Sequence, residues 1–293
     1  MHAQKCISRR GILAAGAALA VRSARGAAAD ETMVTFAAIA DPQYADRDDA
    51  MGRAYRQSLR KLQEAVKVLA GHRPAFAVMM GDLLDKWPSR QAAAAAAAEM
   101  HRAFEQAGCP CRYVLGNHDV DQLSRQQFMK ITGMPAGHYS FDCGGVHFVV
   151  LDGCYRKDFT PYEPGNFTWL DSWLSPGQIE WLAGDLNKAR GPVVVFVHQR
   201  LDDDQTNYGI RNAPDARRVL EESRRVIAVF QGHYHKGDMR RIAGIPYITL
   251  RGMVEGAGME NTAYALVSIC ADGAVRVRGF GKQPDYELKP AKG

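Results

Sequence analysis

Short apolar runs punctuate the chain, and each stops abruptly at a polar cluster. Val34–Ala40 ends at Asp41-Pro42-Gln43, Phe76–Met80 at Gly81-Asp82, and Arg112–Leu115 at Gly116-Asn117-His118-Asp119. Val146–Leu151 ends at Asp152, Val193–Val197 at His198, and Val226–Gln231 at Gly232-His233-Tyr234-His235. Brief β-branched and apolar runs bounded by turn formers read as buried strands. Helical spacing fills the gaps between the early runs. Tyr55–Ala70 sets Leu59, Leu62, Val66 and Leu69 on one face, and the alanine-rich Gln91–Phe104 favours helix by propensity alone. Ser175-Pro176-Gly177-Gln178 combines an N-cap, a first-turn proline and a capping glutamine ahead of a helix through Leu186. Strand–loop–helix alternation predicts parallel pairing in the first half. The tail differs: Tyr247–Leu250, Ala263–Cys270 and Ala274–Phe280 read as strands, with Asp272-Gly273 as a hairpin turn. The pattern predicts an α/β chain with no linker or repeat dividing it.

Charge changes this picture at one end only. The net charge of +5 rests on Lys5, Arg9, Arg10, Arg22 and Arg25, which precede every acidic residue. The remainder is formally neutral, so no basic stripe points to a nucleic-acid polymer. Ser8-Arg9-Arg10-Gly11-Ile12-Leu13, an apolar run to Val21 and Ala27-Ala28-Ala29 resemble a bacterial twin-arginine signal peptide. That run is too short to span a bilayer. The expectation is a leader over residues 1–29 and one domain over 30–293. The mature chain would be periplasmic or secreted, with no stable membrane anchor and only transient contact with the twin-arginine export machinery. Losing Cys6 with the leader leaves Cys109, Cys111, Cys143, Cys154 and Cys270, an odd set in which at least one thiol stays unpaired within the chain. Cys109-Pro110-Cys111 lacks the spacing of a redox or zinc motif and reads as a turn entering a strand.

The strand ends carry the chemistry. Ligands in open α/β sheets gather beyond the carboxyl ends of strands, and those ends supply Asp41, Gln43, Asp82, Asn117, His118, His198, His233 and His235. Any one of them alone is an ordinary turn or surface residue. Together, oxygen donors with a few imidazoles suit a pair of divalent cations: Mn²⁺, Mg²⁺, Fe²⁺ or Zn²⁺. In this order the motifs resemble the calcineurin-like metallophosphoesterase signature, from about residue 34 to 281. Ile39–Asp46, Tyr55-Arg56-x-Ser58-Leu59 and Thr249-Leu250-x-Gly252-Met253-Val254-Glu255 are similar to a narrower group, the manganese-dependent ADP-ribose/CDP-alcohol diphosphatases.

The resemblance implies a four-layer α/β/β/α sandwich of mixed sheets with a dinuclear metal site at the strand carboxyl ends. It implies that Asp41, Gln43, Asp82 and His235 hold one cation, and that Asp82, Asn117, His198 and His233 hold the other. His118 would face the substrate and Asp119 would orient it. Gln43 stands where most of the superfamily has histidine; a carboxamide oxygen is a harder donor, which favours Mn²⁺ or Mg²⁺ over Zn²⁺. The implied reaction is attack of a metal-bridged hydroxide on phosphorus, in line with the leaving oxygen. No G-x-S-x-G elbow or P-loop offers another chemistry. The implied substrate is a small phosphate ester of nucleotide type, such as ADP-ribose or a CDP-alcohol. A phosphomonoester or a cyclic phosphodiester on the same metals is the alternative, and a non-catalytic nucleotide-binding protein a remote one. The aromatic stretch Cys154–Trp173 is long for a connection. Tyr155, Trp169 and Trp173 are its candidates for stacking on a nucleobase, and a small core under the loop explains the same aromatics equally well.

Overall fold

The computed structural model describes residues 31–289 apart from Phe167. The twin-arginine leader and Cys6 lie outside the described residues. In chain order the first half forms β1 (Thr32–Ile39), α1 (Ser58–Gly71), β2 (Phe76–Met79), α2 (Arg90–Glu105) and β3 (Cys111–Tyr113). These are followed by α3 (Arg125–Thr132), β4 (Tyr139–Cys143) and β5 (Val146–Val150). The second half forms α4 (Pro176–Lys188), β6 (Val193–Phe196), α5 (Ala213–Ser223), β7 (Val226–Gln231), β8 (Asp238–Ile242) and β9 (Ile245–Thr249). It closes with β10 (Ala263–Cys270), β11 (Val275–Gly281) and β12 (Tyr286–Leu288).

Two mixed six-stranded sheets result, ordered β12-β11-β10-β1-β2-β3 and β4-β5-β6-β7-β9-β8. The parallel pairing expected in the first half holds for β1 with β2 and β2 with β3, and the second sheet also pairs β5 with β6 and β6 with β7 in parallel. The tail divides in a way the sequence does not announce. β10 and β11 form the expected antiparallel hairpin, whereas β9 joins the other sheet parallel to β7.

Strand alternation builds the layers. Phe148, Val150, Val194, Phe196, Ala228 and Phe230 share one core with the first sheet, while their neighbours Val149, Val193, Val195 and Val229 pack with Leu182 and Leu186 of α4 and Leu220 of α5. Phe36 of β1 stands at the centre of the inter-sheet layer, edge-on to Phe148, Phe196 and Phe230 at 5.4–5.7 Å. Leu62, Val66 and Leu69 of α1 and Met100 and Phe104 of α2 join that core from the first sheet's side. The order helix, sheet, sheet, helix is the expected four-layer sandwich. Among the described residues no helix is long and apolar enough to cross a membrane.

The two sheets are stitched together at the end where the polar motifs lie. Met253 donates its amide hydrogen to Ala40 O at 2.9 Å and Val254 to Asp41 O at 3.1 Å, so the segment after β9 lies against the end of β1. Cys109 and Cys111 are half-buried where β3 begins, as the turn reading required, and neither forms a disulfide among the described residues.

Candidate metal centre

Asp41 follows β1, Asp82 follows β2, Asn117 follows β3, His198 follows β6 and His233 follows β7. Five strand ends from both sheets thus converge. The turns are backbone-strained: Asp41, Gln43, Asp82 and His233 all have positive φ, from 43° to 65°. Non-glycine residues there cost on the order of 1–3 kcal/mol each and persist where the surroundings over-determine them. Here reciprocal bonds do so. Gln43 N donates to Asp82 O at 2.9 Å, and His233 N donates to both carboxylate oxygens of Asp41 at 3.1–3.2 Å. Gly81 (φ +92°) can only be glycine, since a Cβ there would lie 2.5 Å from His198 Nδ1.

The candidate ligands are buried, and several of their donor atoms are unspent. Asp41, Gln43, Asp82, Asn117, His198, His233 and His235 are all buried. Gln43 Oε1, both amide atoms of Asn117, His198 Nε2 and His233 Nε2 make no hydrogen bond among the described residues, although Asp82 Oδ2 lies 3.2 Å from His198 Nε2. Orphaned polar atoms are rare in a folded interior and ask for a partner. Asp82, His198 and His233 bring ligand atoms within 4.8 Å of one another, and His235 Nε2 lies 3.3 Å from Asp41 Oδ1. Gln43 Nε2 donates to Asp82 Oδ2 at 3.2 Å, which leaves its carboxamide oxygen for a cation. The donor set fits hard to borderline divalent ions.

Two of the three rings are aimed from behind. His198 Nδ1 donates to Met80 O at 2.7 Å, leaving Nε2 toward the site, and His235 Nδ1 meets Glu255 Oε1 at 2.6 Å. Partners of this kind fix tautomer and orientation in metal-binding histidines. Glu255 lies in a segment that the sequence supplied only as a family likeness, and its distance from His235 in the chain hid its role. Asp119 is buried and braces the turns around the site. Its carboxylate accepts backbone N–H groups from Asp82 (3.0 Å), Leu83 (2.7 Å) and Gly116 (2.9 Å), tying the β2 and β3 turns together. His118 lines the cavity, and its own amide donates to Asp82 Oδ1 at 2.8 Å.

The electrostatics follow from these contacts. Burial alone would push the His198 imidazole down, but the carboxylates of Asp82 and Asp41 overcome it and raise it to about 10. His235, likewise opposed by burial, is raised to about 9 by Asp41 and Glu255. Burial and the neighbouring His198 push His233 well down. Burial would raise Asp82, yet the surrounding imidazoles hold it below the usual carboxylate range. Without a cation, then, protons on His198 and His235 offset the buried carboxylates.

The site opens into a cavity of about 400 Å³, walled by Arg47, Arg53, Tyr55, His118, Trp169 and Tyr208 among others. Of the three aromatic candidates only Trp169 reaches it. Tyr155 and Trp173 are engaged elsewhere: the Arg125 guanidinium of α3 lies 5.1 Å over the Tyr155 ring, Trp173 Nε1 donates to Asp171 Oδ1 at 2.7 Å, and the Trp173 ring meets Phe159 edge-on at 6.2 Å. Tyr208 was not singled out from the sequence. It sits edge-on to His233 at 5.7 Å and 6.1 Å from Trp169, a placement that only the fold reveals.

The chain belongs to the calcineurin-like phosphoesterase family, whose pattern matches residues 34–237. It is a metal-dependent hydrolase of phosphoester or phosphoanhydride bonds. It is 24% identical over 309 residues to a manganese-dependent ADP-ribose/CDP-alcohol diphosphatase from Oryza sativa subsp. japonica, covering 89% of this chain and 96% of that one. A protein of the same name from Arabidopsis thaliana is 32% identical over 139 residues, covering 44% and 45% of the two chains. Among solved structures, a dimetal phosphatase from Danio rerio superposes with a TM-score of 0.77 at 21% identity, over 89% of this chain and all of that one.

Proposed function

We propose that the protein is a manganese-dependent diphosphatase acting on nucleoside-diphosphate-linked small molecules such as ADP-ribose or a CDP-alcohol. The observation that carries this reading is the set of unspent buried donor atoms opening into a cavity with Trp169 and Tyr208 on its wall. Asp41, Gln43, Asp82 and His235 would hold one cation; Asp82, Asn117, His198 and His233 would hold the other. Bound there, the pair supplies an activated water and neutralises phosphoryl charge. His118, half-buried at the cavity edge, is placed to donate a proton to the leaving oxygen or to stabilise charge on phosphorus. Trp169 and Tyr208 offer faces for a nucleobase. The names of the full-length relatives agree with this substrate class.

The test is turnover of ADP-ribose, CDP-choline, a cyclic nucleotide and p-nitrophenyl phosphate by stripped protein reloaded with Mn²⁺, Mg²⁺, Fe²⁺ or Zn²⁺. Preference for a diphosphate-linked substrate with Mn²⁺ supports the reading. Preference for the monoester or the cyclic diester overturns it.

We propose further that the chain is exported folded, on the strength of Arg9-Arg10 and the short apolar run behind them. Replacing both arginines with lysine should leave active enzyme in the cytoplasm; undiminished delivery to the periplasm would refute it.

A further inference from the structure

The metal cavity continues past His233 and His235 into a side branch of about 220 Å³ that the proposed reaction leaves unused. It shares Met51, Arg53 and Tyr208 with the main cavity and adds Tyr234, Lys236, Arg251 and Glu255. Its charge is one-sided: Arg53, Lys236 and Arg251 face a single carboxylate. That carboxylate is engaged, with Glu255 Oε1 at 2.6 Å from His235 Nδ1 and 3.5 Å from Arg53 Nε. Lys236 and Arg251 make no side-chain hydrogen bond or ion pair among the described residues that would neutralise them.

The backbone sets these two cations in place. Lys236 lies in the tight turn after β7, where Gly237 N donates to Tyr234 O at 2.9 Å, and Arg251 lies directly after β9. β7 and β9 are parallel neighbours, and Gly252 N donates to His235 O at 3.0 Å, so the two strand-end loops run side by side. Trp169 lines only the main cavity and Tyr208 lines both, whereas Lys236 and Arg251 line only the branch. A phosphate monoester is the group such a branch recognises, because ammonium and guanidinium donors make their strongest hydrogen bonds to phosphate oxygens.

We propose that this branch binds a second phosphate monoester of the substrate while the scissile phosphoryl group lies at the metal ligands. The proposal rests on the diphosphatase reading above and narrows its substrate class to molecules carrying a further phosphate. That phosphate sits either on the group linked to the nucleotide or on the nucleoside itself.

Calorimetry on the Mn²⁺-loaded full chain separates the two sources. One arm compares ribose 5-phosphate with ribose 1,5-bisphosphate, and the other compares 5′-AMP with adenosine 3′,5′-bisphosphate. In at least one arm the bisphosphate should bind tenfold or more tightly than its monophosphate. Lys236→Ala combined with Arg251→Ala should bring that ratio close to one, and Arg251→Lys, which keeps the charge, should retain most of it. ADP-ribose turnover measured alongside reports on the parent reading independently. A bisphosphate preference without ADP-ribose hydrolysis would sink the diphosphatase assignment and leave the branch site standing. Equal affinities in both arms of the unaltered protein, or a preference that survives the double substitution, would overturn the branch site.

Discussion

At the scale of the residue, the metal preference should turn on Gln43. Its Nε2 is spent on Asp82 and its Oε1 is buried without a partner, so the oxygen is the atom offered. Gln43→His would offer an imidazole nitrogen instead and should shift the metal order from Mn²⁺ toward Zn²⁺ or Fe²⁺. Activity against metal concentration for the native chain, Gln43→His and Gln43→Ala checks this, and one rank order in all three would remove Gln43 from the ligand set. His118 should behave in the opposite manner. It edges the cavity without being fully buried, and His118→Ala should lower kcat by ~10²–10⁴-fold, the usual contribution of a general acid, with metal content retained. Metal lost in step with activity would make His118 a ligand.

At the scale of the element, α1 reaches the metal centre through a buried lysine. Lys61 Nζ donates to Met253 O (3.0 Å), Glu255 O (3.1 Å) and Gly256 O (2.6 Å), one carbonyl for each of its protons. It thereby clamps the loop whose Glu255 aims His235. Burial pushes the Lys61 ammonium down, opposed by Glu255, and the three carbonyls hold it in place. Lys61→Met keeps the volume but strands those carbonyls. At about 1–3 kcal/mol for each unsatisfied buried group, partly relieved by relaxation, the loss should be ~2–4 kcal/mol. Urea unfolding would measure it. Mn²⁺ affinity should fall as well, since the loop behind His235 loosens; a Lys61→Met protein with native affinity would show that the clamp serves stability alone.

At the scale of the whole molecule, cation binding and proton binding oppose each other. His198 and His235 are raised to about 10 and about 9, so at pH 7.5 the metal-free protein holds protons where cations must bind. Mn²⁺ affinity should therefore rise with pH up to about 9, with proton release visible as a dependence of calorimetric heat on buffer ionisation enthalpy. An affinity that is flat from pH 6 to 9 would contradict this. The same site joins both sheets, so occupying it should stabilise the entire sandwich. At a free Mn²⁺ concentration ~100-fold above Kd the gain is ~2.7 kcal/mol. For a chain of this size that should raise Tm by roughly 5–10 °C over chelator-treated protein.

Strands and ligands were legible in the chain where their causes are local. An apolar run followed by a turn former is a contiguous signal, so β1, β2, β5, β6 and β7 and the polar residues after them read directly from the order of residues. Edge strands give no such signal: β8 is Asp-Met-Arg-Arg-Ile, β12 has three residues, and neither buries a continuous face. The pairing of β9 with β7, which brings Glu255 behind His235, is a long-range choice, as is the reach of Lys61 from α1 to that loop. The parallel pairing of β2 and β3 also presents Asp119 with three backbone amides, and its buried carboxylate binds them, a set of contacts that no local pattern shows. Tyr155 and Trp173 looked the same as Trp169 in the chain. Only the fold decided that Tyr155 and Trp173 pack away from the cavity and that Trp169 faces it. The sequence by itself thus determined the identity and order of the polar residues gathered at the site, because each follows closely on one of five strand ends. The tertiary structure decided what aims those ligands and what lines the space around them, because those contacts join segments far apart in the chain.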